Sequence, residues 1–131
     1  MPQPEAAFKA KLIAAYRVAF PQGWYQFNAA HHRRGVPDLQ FLLPGGRVVW
    51  IEAKVSPYKA SKIQLAVHQA IARAGGAVLL AAYSPAVKRL ELLRATGHGP
   101  AAYDHPWANP SCPISVLEAP DNWHRLIAPH P

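Results

Sequence analysis

Phe8, Leu12, Tyr16 and Phe20 recur at every fourth position, with Ile13 beside them. That spacing lines one face of a helix with apolar side chains. Pro4-Glu5 puts a proline at the first helical position and an acid in the first turn, and Pro21-Gln22-Gly23 stops the helix. Residues 24–28 are short and aromatic and predict a strand. Residues 36–43 and 47–55 are two β-rich runs on either side of Pro44-Gly45-Gly46, which predicts a hairpin. Ser61 and Gln64 have the spacing of a capping box. Ile63, Val67 and Ile71 are then the expected buried stripe of a second helix, ended by Gly75-Gly76. The continuous apolar run 77–83 suits a fully buried strand. Ser84-Pro85 predicts a last helix with Val87, Leu90 and Leu93 on one face. From Gly97 onward the chain reads as proline-rich loop, with Trp107 and Trp123 as anchors onto the core.

A helix, three strands, a helix and a fourth strand make a meander followed by a helical crossover. The expected fold is therefore α/β (α+β), a mixed sheet with its fourth strand parallel to the third and helices covering it. Residues 1–96 would form this core, and residues 97–131 a C-terminal extension packed on it.

The hairpin also brings chemistry together. If its loop is the three residues 44–46, Leu43 faces Arg47, and counting back along both strands puts Asp38 opposite Glu52. Directly opposed residues have Cβ atoms about 5 Å apart. Lys54, two residues beyond Glu52, shares its face. A two-residue loop would leave Asp38 diagonal to Glu52. Like charges facing one another destabilise a sheet, and a hard divalent cation between them reverses the sign. Such an ion can activate a water and stabilise charge on a phosphate, with Lys54 as a point charge beside it. The bland alternative is a set of strand-end charges facing solvent.

Charge adds a partner. Fourteen Lys and Arg against seven Asp and Glu give +7 and a sequence pI near 9.9. Residues 1–94 alone carry 13 basic and 4 acidic side chains, so that part should meet a polyanion. His31, His32, Arg33 and Arg34 form a basic loop just before the Asp38 strand, placed to touch phosphate, and Lys59, Lys62 and Arg73 extend the positive face. Tyr58 could stack on a base, and His68 reads as a half-buried polar residue. The longest apolar run is seven residues, so no membrane span is expected. A single cysteine, Cys112, excludes an internal disulfide. No secretory signal is visible, and a reducing, cytoplasmic setting is the economical expectation.

Gly35-Val36-Pro37-Asp38 followed by Trp50-Ile51-Glu52-Ala53-Lys54 resembles the Asp…Glu-x-Lys signature of the PD-(D/E)xK nuclease superfamily. The order of elements is similar to its common core. More narrowly, residues 35–83 resemble the VRR-NUC family, with Gln64, Gly75-Gly76 and the strand after them in the family's places. The resemblance implies a DNA endonuclease dependent on Mg²⁺ or Mn²⁺. Asp38, Glu52 and the backbone carbonyl of Ala53 would hold the ion, and Lys54 would assist the attacking water. Glu5 matches a glutamate that often completes such sites, although an acid in a first helical turn is favoured anyway. Gln64 would reach the site, although the capping box also accounts for it. The family's small members suggest a structure-specific enzyme of the Holliday-junction-resolvase kind, working as a homodimer on branched DNA. Two rivals remain: a basic nucleic-acid-binding module without catalysis, and a sheet-based interaction protein.

Overall fold

In a computed structural model, residues 4–28, 34–57, 59–98, 101–107 and 111–128 are described. Helix α1 (Pro4–Ala19) leads into strand β1 (Trp24–Phe27), the hairpin β2 (Leu39–Leu43) and β3 (Arg47–Val55), and helix α2 (Lys62–Arg73). Strands β4 (Ala77–Ser84), β5 (Arg89–Ala95), β6 (Tyr103–Asp104) and β7 (Ser111–Cys112) follow, then a 3₁₀ turn (Ile114–Glu118) and helix α3 (Pro120–Leu126). The strands form one seven-stranded sheet in the order β1-β2-β3-β4-β5-β6, with β7 beside β5. Only β3 and β4 run parallel, because α2 carries the chain back between them. The mixed α+β fold is as the sequence implies.

The hairpin register is also as expected, Leu43 facing Arg47 and Leu39 facing Ile51. Gly45 and Gly46 turn it at φ 93° and 84°, values that glycine reaches without strain. Asp38 stands one step before Leu39, on the rung of Glu52. Alternation then divides the sheet. Leu39, Phe41, Leu43, Val49, Ile51, Ala53, Leu79, Ala81 and Tyr83 face the core with Phe8, Leu12 and Tyr16 of α1. Glu52 and Lys54 face the other way, toward α2.

Three expectations need correction. Residues 85–88 do not start a helix: they turn the chain at Lys88 (φ 54°), and it returns as β5 antiparallel to β4. Leu90 and Leu92 are buried with strand periodicity while Val87 is 64% exposed, so no helical stripe exists to bury. The free edge of β4, apolar from Ala77 to Tyr83, is covered by this return. Second, the buried line of α2 is not Ile63, Val67 and Ile71. Ile63 is 45% exposed and His68 is the buried residue, because α2 lies over β4 and β5. Val67 and Ile71 instead line an open apolar groove with Trp50 and Val36.

Third, the region after Gly97 is not simply loop. It adds β6 and β7 to the sheet and ends in α3, started by Pro120 at its first turn with Asp121 behind it. Trp123 is fully buried against Phe41 and Tyr16, at ring separations of 5.2 and 5.4 Å. Trp107 is partly buried against the same core. Among the described residues no helix is long and apolar enough to cross a membrane.

Candidate functional site

The chain reaches the site through Gly35, at φ 83°. A Cβ there would come within 2.7 Å of the Ile63 side chain, so glycine is what lets this loop lie against α2. Asn28 holds the following step: its N–H donates to the Asp38 carbonyl at 2.8 Å and its side-chain amide to the Pro37 carbonyl at 2.9 Å. Asp38 Oδ2 in turn accepts the backbone N–H of Ala53 at 3.2 Å, which locks its carboxylate across the strand pair. Glu52 projects from β3, and Glu5 arrives from the first turn of α1. One carboxylate oxygen from each of Glu5, Asp38 and Glu52 lies within 4.8 Å of the other two. Lys9, one turn after Glu5, stands 3.5 Å from Asp38 Oδ1 and 3.9 Å from Glu5 Oε1.

These donors suit a hard divalent ion, which takes carboxylate and carbonyl oxygens. Glu52 is the most buried of the three, its side chain only 2% exposed, and its Oε1 has no hydrogen-bond partner. A buried carboxylate is costly unless its charge is paired, and a cation between the three carboxylates would supply the opposite charge.

Burial pushes the Glu52 carboxyl up to about 9, with hydrogen bonding and repulsion from Asp38 adding to it and the charges of Lys54 and Lys9 opposing. His68 lies behind it on α2, fully buried, with Nε2 3.7 Å from Glu52 Oε1. Burial, helped by the Lys54 charge, lowers the imidazole to about 4. In the metal-free protein at neutral pH both groups are therefore neutral.

A pH dependence follows for protein treated with chelator. Between the ordinary histidine value of 6.5 and the range where thiols and phenols ionise (burial also raises Cys112 from 9.0 and Tyr16 from 10.0), Glu52 is the group that binds a proton in the folded chain and lacks it in the unfolded chain. Stability should then fall as pH rises from 6.5 toward 9, by up to about 1.4 kcal/mol per pH unit. Between 4.5 and 6.5 the unfolded chain binds the extra proton at His68, which offsets the Glu52 slope. Urea unfolding across this range should show the decline in the wild type and its loss in Glu52→Gln. A flat wild-type profile would mean that Glu52 is ionised in the metal-free fold.

The other sequence candidates take varied places. Lys54 is half-buried on the face of Glu52, and its charge acts on both Glu52 and His68. Ala53 contributes its N–H to Asp38. Gln64 makes the capping box: its Oε1 accepts the Ser61 N–H at 3.0 Å, and Ser61 Oγ accepts the Gln64 N–H at 3.1 Å. It also lines, with Arg34, Asn28, Asp38 and Glu52, an open cavity of about 350 Å³, so cap and site coexist. Arg34 is exposed at that rim, and Lys59 and Lys62 are exposed at the start of α2 beside it. His31, His32, Arg33 and Tyr58 lie outside the described residues.

Lys9 and the pairing of His68 with Tyr103 were not anticipated. Lys9 carried a signal in its i,i+4 spacing from Glu5, whereas nothing in the sequence joins residue 103 to residue 68. No protein-family model matches the chain, and no curated protein matches it.

Proposed function

We propose that the chain is a DNA nuclease dependent on Mg²⁺ or Mn²⁺ that hydrolyses phosphodiester bonds with an activated water. The observation that carries this reading is the convergence of Glu5, Asp38 and the buried Glu52, one carboxylate oxygen from each lying within 4.8 Å of the other two. Asp38 and Glu52, with the Ala53 carbonyl, would hold the ion, which when bound lowers the pKa of water and neutralises phosphate charge. Glu5 completes the acidic ring or positions a bound water. Lys54 holds the attacking water against the phosphate, where a bond from water oxygen to phosphorus forms as the bond to the leaving deoxyribose oxygen breaks. Gln64 and Arg34 line the cavity through which the backbone would pass. Basic residues on the described surface supply the salt-dependent part of DNA affinity.

Supercoiled plasmid and four-way-junction DNA, incubated with Mg²⁺, Mn²⁺ or EDTA, test this directly. Cleavage is expected with metal, none in EDTA, and none by Glu52→Gln. Absence of cleavage with either ion, or cleavage surviving Glu52→Gln, overturns the assignment. Binding without cleavage is the outcome of the rival reading, a basic nucleic-acid-binding module, which accounts for the charge of residues 1–94 but gives the buried carboxylate no role. The narrower reading, a junction resolvase working as a homodimer, is supported by the resemblance, and a two-fold pair would present two sites to two strands. Preference for the junction over linear duplex in the same assay tests it.

A further inference from the structure

Two buried side chains face one another behind the carboxylates. Glu52 and His68 are the buried charged or titratable polar pair among the described residues, at 2% and 0% exposure. Glu52 Oε1 and His68 Nε2 are 3.7 Å apart, too far for a hydrogen bond, and neither has another hydrogen-bond partner. The opposite nitrogen of the ring is tied down. His68 Nδ1 lies 2.7 Å from the Tyr103 hydroxyl, and the two rings meet edge-on at 6.1 Å. Tyr103 sits in β6, paired with Ala95 of β5, so the sheet fixes where that hydroxyl is. If the hydroxyl donates to Nδ1, the ring proton belongs on Nε2, the nitrogen aimed at Glu52. Ligating carboxylates are held in this way by donors behind them.

We propose that His68 is a positioning residue, oriented by Tyr103, that holds Glu52 in its ion-ligating orientation. The inference rests on the metal-site reading of Glu52 and adds that the C-terminal extension contributes to the site. A space-filling role for the same ring would affect stability and leave ion affinity alone.

The test is Mn²⁺ binding to the full chain, read by calorimetry without DNA, beside circular dichroism and melting in chelator. Tyr103→Phe keeps the ring and removes the hydroxyl, and should weaken Mn²⁺ binding about tenfold with the fold intact. His68→Leu should weaken it about a hundredfold, and His68→Gln, which restores an N–H near the Nε2 position, should recover part of the loss. In the His68→Leu background, Tyr103→Phe should cost nothing further, since its effect passes through the ring. Wild-type affinity in folded Tyr103→Phe and His68→Gln, or losses from Tyr103→Phe that persist without His68, would overturn the proposal. Should His68→Leu fail to fold, Tyr103→Phe and His68→Gln decide. Wild type that binds Mn²⁺ and loses it only in Glu52→Gln overturns the positioning role alone. Wild type that binds no Mn²⁺ overturns the metal site with it.

Discussion

Lys54→Ala is expected to slow DNA cleavage by about 10²–10³-fold while DNA affinity falls only slightly. The magnitude is that of removing one preorganised charge from a transition state. Lys54 projects from β3 on the face of Glu52, two residues along the strand, and is half-buried, so its ammonium acts in a weakly screened environment. Thirteen basic residues lie in positions 1–94, and losing one phosphate contact among them costs little binding. A second effect must be separated from the first. The Lys54 charge also lowers the Glu52 carboxyl, so alanine makes Glu52 harder to ionise and weakens ion binding. Rates should therefore be compared at saturating Mn²⁺, where the remaining deficit belongs to the chemical step. Cleavage at the wild-type rate under those conditions would remove Lys54 from the site.

Local rules made the front of the site legible. Three loop residues with two consecutive glycines fix the hairpin register, and that register alone aligns Asp38 with Glu52. The capping box at Ser61 and Gln64 forms both of its bonds because each is made within one helical turn. Where two periodicities fitted equally, the reading failed. Val87, Leu90 and Leu93 fit a helix as well as Leu90 and Leu92 fit a strand, and only the need of β4 for a second neighbour decides between them. The α3 start signal, Pro120-Asp121, was present but lay among prolines that suggested loop. His68, expected to be half-buried, is fully buried. Its depth depends on which strands α2 covers, a tertiary choice that leaves Ile63 in solvent and turns a polar residue inward. Glu5 is an intermediate case: the local pattern showed only the helix start, and its meeting with Asp38 and Glu52, more than thirty positions away, was expected from the resemblance alone.

Trp123→Ala is expected to cost about 3–5 kcal/mol of folding stability, the range for deleting a fully buried aromatic side chain. The side chain is buried on every side, within 5.2–6.4 Å of the rings of Phe41, Tyr16 and Phe20, and its Nε1–H donates to the Leu117 carbonyl at 2.6 Å. Alanine would leave both a large cavity and a carbonyl without its donor. The damage would spread toward the hairpin, because the Tyr16 hydroxyl bridges the Trp24 backbone and the Leu42 carbonyl at the start of the sheet. Trp123→Phe keeps most of the packing and should lose far less. Trp107→Ala, at a partly buried position, should also be milder. Urea unfolding of the three variants gives the order directly. Wild-type stability in Trp123→Ala would show that the C-terminal extension is peripheral. The expected loss would instead make it part of the single core that carries α1, and with α1 the carboxylate of Glu5.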